Sequence, residues 1–181
     1  MPQYYRDKKD FNIIPRETVQ EMIDSTDDLR MRCIISLAWI TGARITEIMK
    51  LRRQDFKGSL KDDVVFIRLN TIKGGVPRRL ELSMTKTPFL LEYVVKYVKH
   101  RHGRIFDIGV RRAQQKLLKI NEKTGYYITF HEFRHSRISY LAREKEASLS
   151  ELMDWTGWAS TRQAGNYLIR KTSKRFRDQI E

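Results

Sequence analysis

The last quarter of the chain carries an imidazole, a guanidinium and a phenol at spacings that could serve chemistry on an anion. The segment FHEFRHS covers residues 130–136, and Tyr167 follows beyond a glycine-containing break. On a helix that begins near Phe130, His131 and Arg134 are three residues apart and share one face, so both side chains point to one spot. Taken alone, a surface helix with an ordinary histidine and arginine explains this motif equally well.

The same helix has an apolar stripe by which it could dock on a core. Docking through that stripe would leave His131 and Arg134 aimed out of the core. The stripe consists of Phe130, Phe133, Ile138 and Leu141.

A second arginine lies at a predicted junction between two helices. A helix that is apolar nearly all round is expected to end at Gly42, which can adopt the left-handed conformation that ends helices. Arg44 follows this turn and would be held rigidly there. Glu47, three residues further on, could brace the guanidinium of Arg44; a purely structural ion pair is the alternative for these two residues alone.

A lysine is expected near the tip of a β-hairpin. The run Val64 to Leu69 is β-branched and aromatic, which predicts a strand, and the alternation from Arg78 to Leu82 predicts the returning strand. Lys73 begins the Lys-Gly-Gly turn between them and could reach into a groove. Most lysines at hairpin tips are simply solvated, and that alternative stays open on the spacing alone.

A basic helix is predicted from Val110 to Asn121. Its inward positions would be Leu117 and Leu118, and its outer face would suit contacts to DNA phosphates, although a solvated basic face is the alternative. The outward residues are Arg111, Arg112, Lys116 and Lys119.

The charge balance points to a polyanionic partner. The 181 residues include 36 Lys and Arg against 22 Asp and Glu, giving a net charge of +14 and a pI of about 10.0. Nucleic acid is favoured over a membrane surface because the basic residues do not collect on one amphipathic helix. The longest apolar run, Ile34 to Ile40, is far shorter than the roughly 20 residues that span a bilayer. The single cysteine, Cys33, can form no intramolecular disulfide, which predicts a buried thiol in an intracellular, cytoplasmic protein.

These elements predict a mainly α-helical domain with a small antiparallel β-sheet, an α+β fold. Residues 1–14 are predicted to be an arm or the remnant of a linker, residues 15–168 the domain, and residues 169–181 a tail. Besides the helices above, the spacing predicts helices from Pro15 to Ser25, from the cap candidates Ser25, Thr26 and Asp27 to Ile40, from Ile45 to Leu51, and from Pro88 to about Arg101.

Taken in order, the motifs resemble the catalytic domain of tyrosine recombinases. That family's pattern is T-G-x-R-x-x-E, then a hairpin lysine, then H-x-x-R-H, then G followed by H or W, then Y. The resemblance runs from about Pro15 to Leu168 and implies the DNA breaking–rejoining enzyme fold. Its elements in this sequence are Thr41-Gly42-Ala43-Arg44-Ile45-Thr46-Glu47, Lys73, His131-Glu132-Phe133-Arg134-His135, Gly157-Trp158 and Tyr167.

The resemblance implies a role for each residue in cleaving a DNA phosphodiester. Arg44 and Arg134 would neutralise the charge that builds on the non-bridging oxygens. Tyr167 would be the nucleophile and form a 3′-phosphotyrosyl enzyme, with His131 as its base and Lys73 as the acid for the leaving 5′ oxygen. The remaining members are Trp158, a third donor to the phosphate, and Glu47 and His135, which support the site.

No metal, cofactor or ATP is expected. The phosphate energy is stored in the covalent link, and Asp62-Asp63 alone do not make a two-metal site. Where most members of the family have a second histidine, this chain has Trp158, whose indole donates one hydrogen bond and cannot shuttle a proton.

The expected partner is double-stranded DNA, bound by a homotetramer, with the tail at 169–181 docking on a neighbouring subunit or folding back on its own domain. Members of the family usually have a further N-terminal domain that clamps DNA, so this chain is expected to be a catalytic fragment or a naturally short protein. An integrase of a mobile element or virus is favoured. A type IB topoisomerase and a DNA-binding protein that has lost catalysis are the alternatives.

Overall fold

The computed structural model is mainly helical with a small antiparallel sheet, and it confirms the predicted fold class. Its helices are α1 (Arg16–Asp24), α2 (Leu29–Thr41), α3 (Ile45–Ile48), α4 (Pro88–Lys99), α5 (Val110–Thr124), α6 (Phe130–Arg143) and α7 (Leu149–Thr156). Its strands are β1 (Phe56–Gly58), β2 (Val64–Leu69) and β3 (Arg78–Ser83). The structure describes residues 13–58, 63–71, 75–86, 88–165 and 167–168. Most of the predicted arm and tail therefore lies outside the described residues.

Helix α2 is the centre of the fold and packs against α1, α4 and α6. Nearly every residue from Met31 to Thr41 is buried, because its apolar residues surround the axis. Its first cap is Asp28, whose carboxylate accepts from the Arg30 amide, so the three cap candidates predicted before it were wrong by one residue or more. Gly42 ends the helix at φ 61°, as predicted.

The sheet is antiparallel in the order β1-β2-β3. The predicted hairpin forms from β2 and β3, in register from Val64 opposite Ser83 to Leu69 opposite Arg78. Strand β1 pairs with β2 and was not predicted, because three residues are too few to show an alternating pattern. The hairpin tip at 72–74, with Lys73, lies outside the described residues.

Several helix ends differ from the predicted ones. Helix α3 is a single turn that ends at Ile48 rather than Leu51, although Leu51 is buried as expected. Helix α4 ends at Lys99, before the predicted Arg101. Helix α5 continues past the predicted end to Thr124.

Helix α6 carries the motif from His131 to His135, and Gly157-Trp158 directly follow α7. Both helices begin with capping boxes, Thr129 with Glu132 and Ser148 with Glu151. The α6–α7 segment encloses a second, smaller apolar cluster that includes Trp158. Among the described residues, no helix is long and apolar enough to cross a membrane.

Candidate active site

Glu47 is the buried centre of a cluster of guanidinium groups. Its side chain is completely buried and accepts hydrogen bonds from Arg44 Nη1 at 3.1 Å and from Arg78 Nη2 at 2.9 Å. It also accepts from the Arg44 backbone N–H at 3.0 Å, which closes a capping box on α3. The predicted brace between Glu47 and Arg44 is therefore present, and Arg78 is a further member that was not predicted.

The charges in this cluster keep Glu47 ionised. Burial acts to raise the pKa of Glu47, but the charge and hydrogen bond of Arg78, the Arg44 amide and the charge of Arg134 together hold that pKa below its usual value. The Arg44 side chain remains 43% exposed, whereas that of Arg78 is 4% exposed. Arg44 is therefore anchored at one nitrogen and open to a ligand elsewhere.

Arg134 lies against the turn that ends α2. Its Nη1 donates to the Gly42 carbonyl at 2.7 Å, and Arg134 is only 5% exposed. The expectation that Arg134 points out of the core was therefore wrong, because its helix docks on α2 along that side. Its Nη2 is buried and has no hydrogen-bond partner among the described residues, so one strong donor is left unsatisfied.

Burial and neighbouring cations act on the protonation of Arg134. Desolvation, then the charge of Arg44, lowers the pKa of Arg134 to about 10, with Glu47 opposing and Arg78 adding to the shift. The guanidinium still carries its charge at neutral pH. The positive charges of Arg44 and Arg134 therefore repel each other. An anion bound between them would relieve this repulsion.

Tyr167 lies in this site with its phenol largely enclosed. The residue is 7% exposed, and its hydroxyl is hydrogen-bonded to His135 Nδ1. The Trp158 ring lies beside it with a centroid separation of 5.8 Å, and the Arg134 guanidinium carbon lies 5.6 Å from the same indole centroid. The indole therefore lies beside both the phenol and the arginine.

The two histidines of α6 are one turn apart and touch. His135 Nε2 lies 2.6 Å from His131 Nε2, and the rings meet edge to face at 4.2 Å between centroids. His131 is exposed, whereas His135 is half-buried. Desolvation, followed by the charges of His131 and Arg134, lowers the pKa of His135 to about 4, so this ring is neutral at neutral pH.

An open cavity of about 530 Å³ adjoins the site. Its lining includes Arg44, His131 and Arg134, and α5 contributes residues such as Gln114 and Leu118. A polyanion in this cavity would meet both arginines. No group of three or more metal-ligating side chains occurs in the part of the chain that the structure describes.

A family model described as the phage integrase family matches residues 13–174. The chain belongs to the phage integrase family. Among curated members, tyrosine recombinase XerA of Pyrococcus horikoshii is 23% identical over 177 residues, and that of Pyrococcus furiosus is 22% identical over 178 residues. Both alignments cover 93% of this chain but 60% of the relative, so the chain spans about three fifths of their length.

Solved structures agree with this fold assignment. A XerA recombinase structure has a TM-score of 0.69 at 17% identity, over 94% of this chain and 65% of that one. A XerH site-specific recombinase bound to its difH substrate has a TM-score of 0.65 at 20% identity, over 85% and 49%. A lambda integrase dimer bound to a core site has a TM-score of 0.57 at 16% identity, over 86% and 47%.

The structure of this integrase-family chain brings most of the predicted site residues together. Trp158 and Tyr167 meet the α6 residues although more than twenty positions separate them in sequence. Lys73 lies outside the described residues. The predicted site residues that are assembled are Arg44, Glu47, His131, Arg134, His135, Trp158 and Tyr167.

The basic helix α5 divides into different environments. Arg111, Arg112 and Lys119 are exposed, as expected for its outer face. Lys116 donates to Asp28 at 2.8 Å and is 28% exposed, so its ammonium is already engaged within the domain. Leu118 is 54% exposed, so its predicted inward position was wrong; only Leu117 of that pair is buried.

Sequence reasoning missed Arg78, although the signal was present. In β3 the buried positions are Arg78, Leu80 and Leu82, which alternate with exposed ones. The alternation that predicted the strand therefore also placed Arg78 on its inner face. A buried guanidinium needs hydrogen-bond acceptors, and Glu47 supplies a charged one for Arg78.

Proposed function

We propose that this chain is the catalytic part of a site-specific DNA recombinase that cleaves with a tyrosine nucleophile. The observation that carries the proposal is the meeting of the Tyr167 phenol, the Trp158 indole and the unpartnered Nη2 of Arg134 in one place. A nucleophile beside fixed cationic donors suits attack on a phosphodiester. The net charge of +14 supports double-stranded DNA as the partner.

The cleavage step joins the Tyr167 oxygen to phosphorus and breaks the bond from phosphorus to the 5′ oxygen. The phenol proton leaves toward the histidines of α6, and the 5′ oxygen takes up a proton to become a hydroxyl. The product is a 3′-phosphotyrosyl link. Because the link conserves the phosphate bond energy, attack by a 5′ hydroxyl of another strand rejoins DNA without ATP.

The guanidinium groups supply the electrostatic part of this mechanism. Arg44 is held by Glu47, and Arg134 is held by the Gly42 carbonyl, so both present nitrogens in fixed positions. Negative charge that grows on the non-bridging oxygens would be stabilised by both guanidinium groups. The indole N–H of Trp158 would be a third donor to the same oxygens.

Lys73 is the candidate acid for the leaving oxygen. The residues on either side of the hairpin tip support this role by their position: Val76 N donates to the Gly157 carbonyl at 3.3 Å, and Thr71 also lies against Gly157. Gly157 directly precedes Trp158, so the residues that flank the hairpin tip adjoin the site. An ammonium within reach could protonate the 5′ oxygen.

Strand exchange between two DNA duplexes requires several active sites at once, so a homotetramer on DNA is the proposed assembly. An integrase of a mobile element or virus is the proposed setting, in keeping with the family. In this arrangement a predicted tail at 169–181 would contact a neighbouring subunit.

The test is covalent capture of DNA. The chain is incubated with a pool of nicked duplexes whose centre is randomised, so that the short cleaved strand diffuses away and the phosphotyrosyl link persists. A denaturing gel should show a slow protein–DNA adduct, and sequencing of the captured strands should give a preferred site. Tyr167→Phe should abolish the adduct.

Tyr127→Phe is the matched control, because Tyr127 is 62% exposed and lies outside the site. It should form adduct at the parental rate. Retention of the adduct in Tyr167→Phe would reject this tyrosine as nucleophile. A shifted band on a native gel without any adduct would favour a binding protein that lacks catalysis.

A further inference from the structure

We propose that Tyr167 is deprotonated through a relay of two histidines, in which His135 takes the phenol proton and passes its own proton to His131. This inference deepens the proposed cleavage reaction and rests on it. The sequence analysis predicted His131 as the base, and His131 shares a helix face with Arg134. In the structure the imidazole in contact with the phenol is His135.

The geometry forms one continuous path from phenol to solvent. The Tyr167 hydroxyl contacts His135 Nδ1, and the opposite nitrogen of the same ring, Nε2, lies 2.6 Å from His131 Nε2. The two rings belong to successive turns of α6, so a rigid helix fixes their separation. Every step of the path is therefore within hydrogen-bond reach.

The proton balance needs one tautomer of each ring. His135 carries its proton on Nε2 and accepts at Nδ1, while His131 carries its proton on Nδ1 and accepts at Nε2. When the Tyr167 oxygen bonds to phosphorus, its proton moves to His135 Nδ1, and the His135 Nε2 proton moves to His131 Nε2. His135 ends neutral, and the positive charge arrives on His131.

The environments of the two rings favour this direction. Among the groups that act on His135 are His131 and Arg134 from its own helix, and the Tyr167 phenol contacts its ring. Burial and these cations disfavour a charged His135, and its pKa is lowered to about 4. His131 is exposed, so water solvates the imidazolium formed there. Passing the proton on thus avoids a buried cation beside Arg134.

The decisive variant is His135→Asn, which keeps an oxygen acceptor near the position of Nδ1 but has no nitrogen that can be protonated. On the captured site, adduct formation should slow by about 100-fold, in the range of general base catalysis. If His135 merely positions the phenol, His135→Asn would cleave at nearly the parental rate, and that result would overturn the relay.

His131→Gln tests the second proton transfer of the relay. Because His131 is exposed, this substitution should not disturb folding, so a slower reaction would not reflect misfolding. It should slow cleavage by a similar factor, and the double variant should be no slower than either single one, since both break the same path. Multiplied losses in the double variant would mean that the two histidines act independently, which contradicts the relay.

A 5′-bridging phosphorothiolate substrate separates the two proton transfers. Its thiolate leaving group needs no proton, so Lys73→Ala should recover on it, whereas His135→Asn should stay slow because the phenol must still ionise. Recovery of His135→Asn on this substrate would move His135 to the leaving-group side. The deficit should also shrink as pH rises, because hydroxide from solution can then take the phenol proton in place of His135.

The same gels distinguish a failure of the histidine relay from a failure of the proposed recombinase function. If the parent forms no adduct on any substrate, the proposed function fails and the relay with it. If the parent forms adduct and His135→Asn equals it with a parental melting temperature, the recombinase proposal stands and only the relay is overturned.

Discussion

Arg78 and Glu47 form an ion pair that is almost fully sealed from water. Arg78 Nη2 lies 2.9 Å from Glu47 Oε2, with the two side chains 4% and 0% exposed. This contact ties strand β3 to helix α3, across 31 residues of sequence. Since Glu47 also holds Arg44, the position of an active-site arginine depends on a residue in the sheet.

Arg78→Met should therefore be strongly destabilising. It leaves a buried carboxylate with one half-exposed partner, which costs about 3–5 kcal/mol for pairs of this kind. The measurement is the free energy of unfolding in urea at neutral pH. Adding Glu47→Gln to Arg78→Met should restore part of the loss, because no buried carboxylate is then left without Arg78; a double variant less stable than Arg78→Met would contradict this account.

Acid should destabilise the protein partly through Glu47. Its pKa is held below the ordinary 4.5 in the folded state. As pH falls below that value, the unfolded chain takes up the proton first, so stability present above pH 4.5 is lost as pH approaches the folded pKa. Urea unfolding across this window should show a shallower pH dependence in Glu47→Gln; an unchanged slope would show that other carboxylates dominate.

Arg134→Lys should abolish most cleavage while leaving DNA binding nearly intact. Arg134 uses Nη1 on the Gly42 carbonyl and keeps Nη2 unpartnered, and a lysine ammonium cannot occupy both positions. A loss of roughly 100-fold to 1000-fold in single-turnover cleavage is expected. Arg143→Lys, in the last turn of the same helix, is the control and should cleave normally. Parental cleavage by Arg134→Lys would remove Arg134 from the mechanism.

The sequence predicted the helices because their caps and apolar spacing are local. Gly42 was identified as the end of α2 from the sequence alone, and α6 begins where Phe130 predicted it. The contact between His135 and Tyr167 could not be predicted in the same way. It joins residues 32 positions apart through the packing of Trp158, and no local periodicity reports such packing.

The same limit explains the errors in the basic helix. The spacing identified Lys116 as outward, but Asp28 reaches it from the start of α2, 88 residues earlier. Leu118 was assigned inward beside Leu117, whereas α5 turns it toward the open cavity. Helical periodicity gives a face of the helix, and only the neighbouring elements decide which parts of that face are covered.

Gly157→Ala should disturb the site more than an equivalent change elsewhere. Gly157 has φ 69°, and a Cβ there would lie 2.8 Å from the Val76 carbonyl and 3.0 Å from Arg78 Nη1. Gly125 has φ 74° with nothing near a Cβ, so Gly125→Ala should cost only about 1 kcal/mol for its backbone conformation. Chemical denaturation should show a clearly larger loss for Gly157→Ala, and equal losses would deny the steric contact.

Among the basic residues of α5, Arg111 should contact the DNA backbone more than Lys116. Arg111 precedes Gln114 by three positions and Leu118 by seven, so it shares the helix face that lines the cavity beside Arg44 and Arg134. Lys116 instead pairs with Asp28.

Arg111→Gln should weaken binding to the captured site several-fold and reduce the slope of log affinity against log salt by about 0.9, as expected for one lost phosphate contact. Lys116→Gln should leave that slope unchanged, and fluorescence anisotropy across a salt series measures both. If Lys116→Gln lowered the slope and Arg111→Gln did not, DNA would approach α5 from the side of α2.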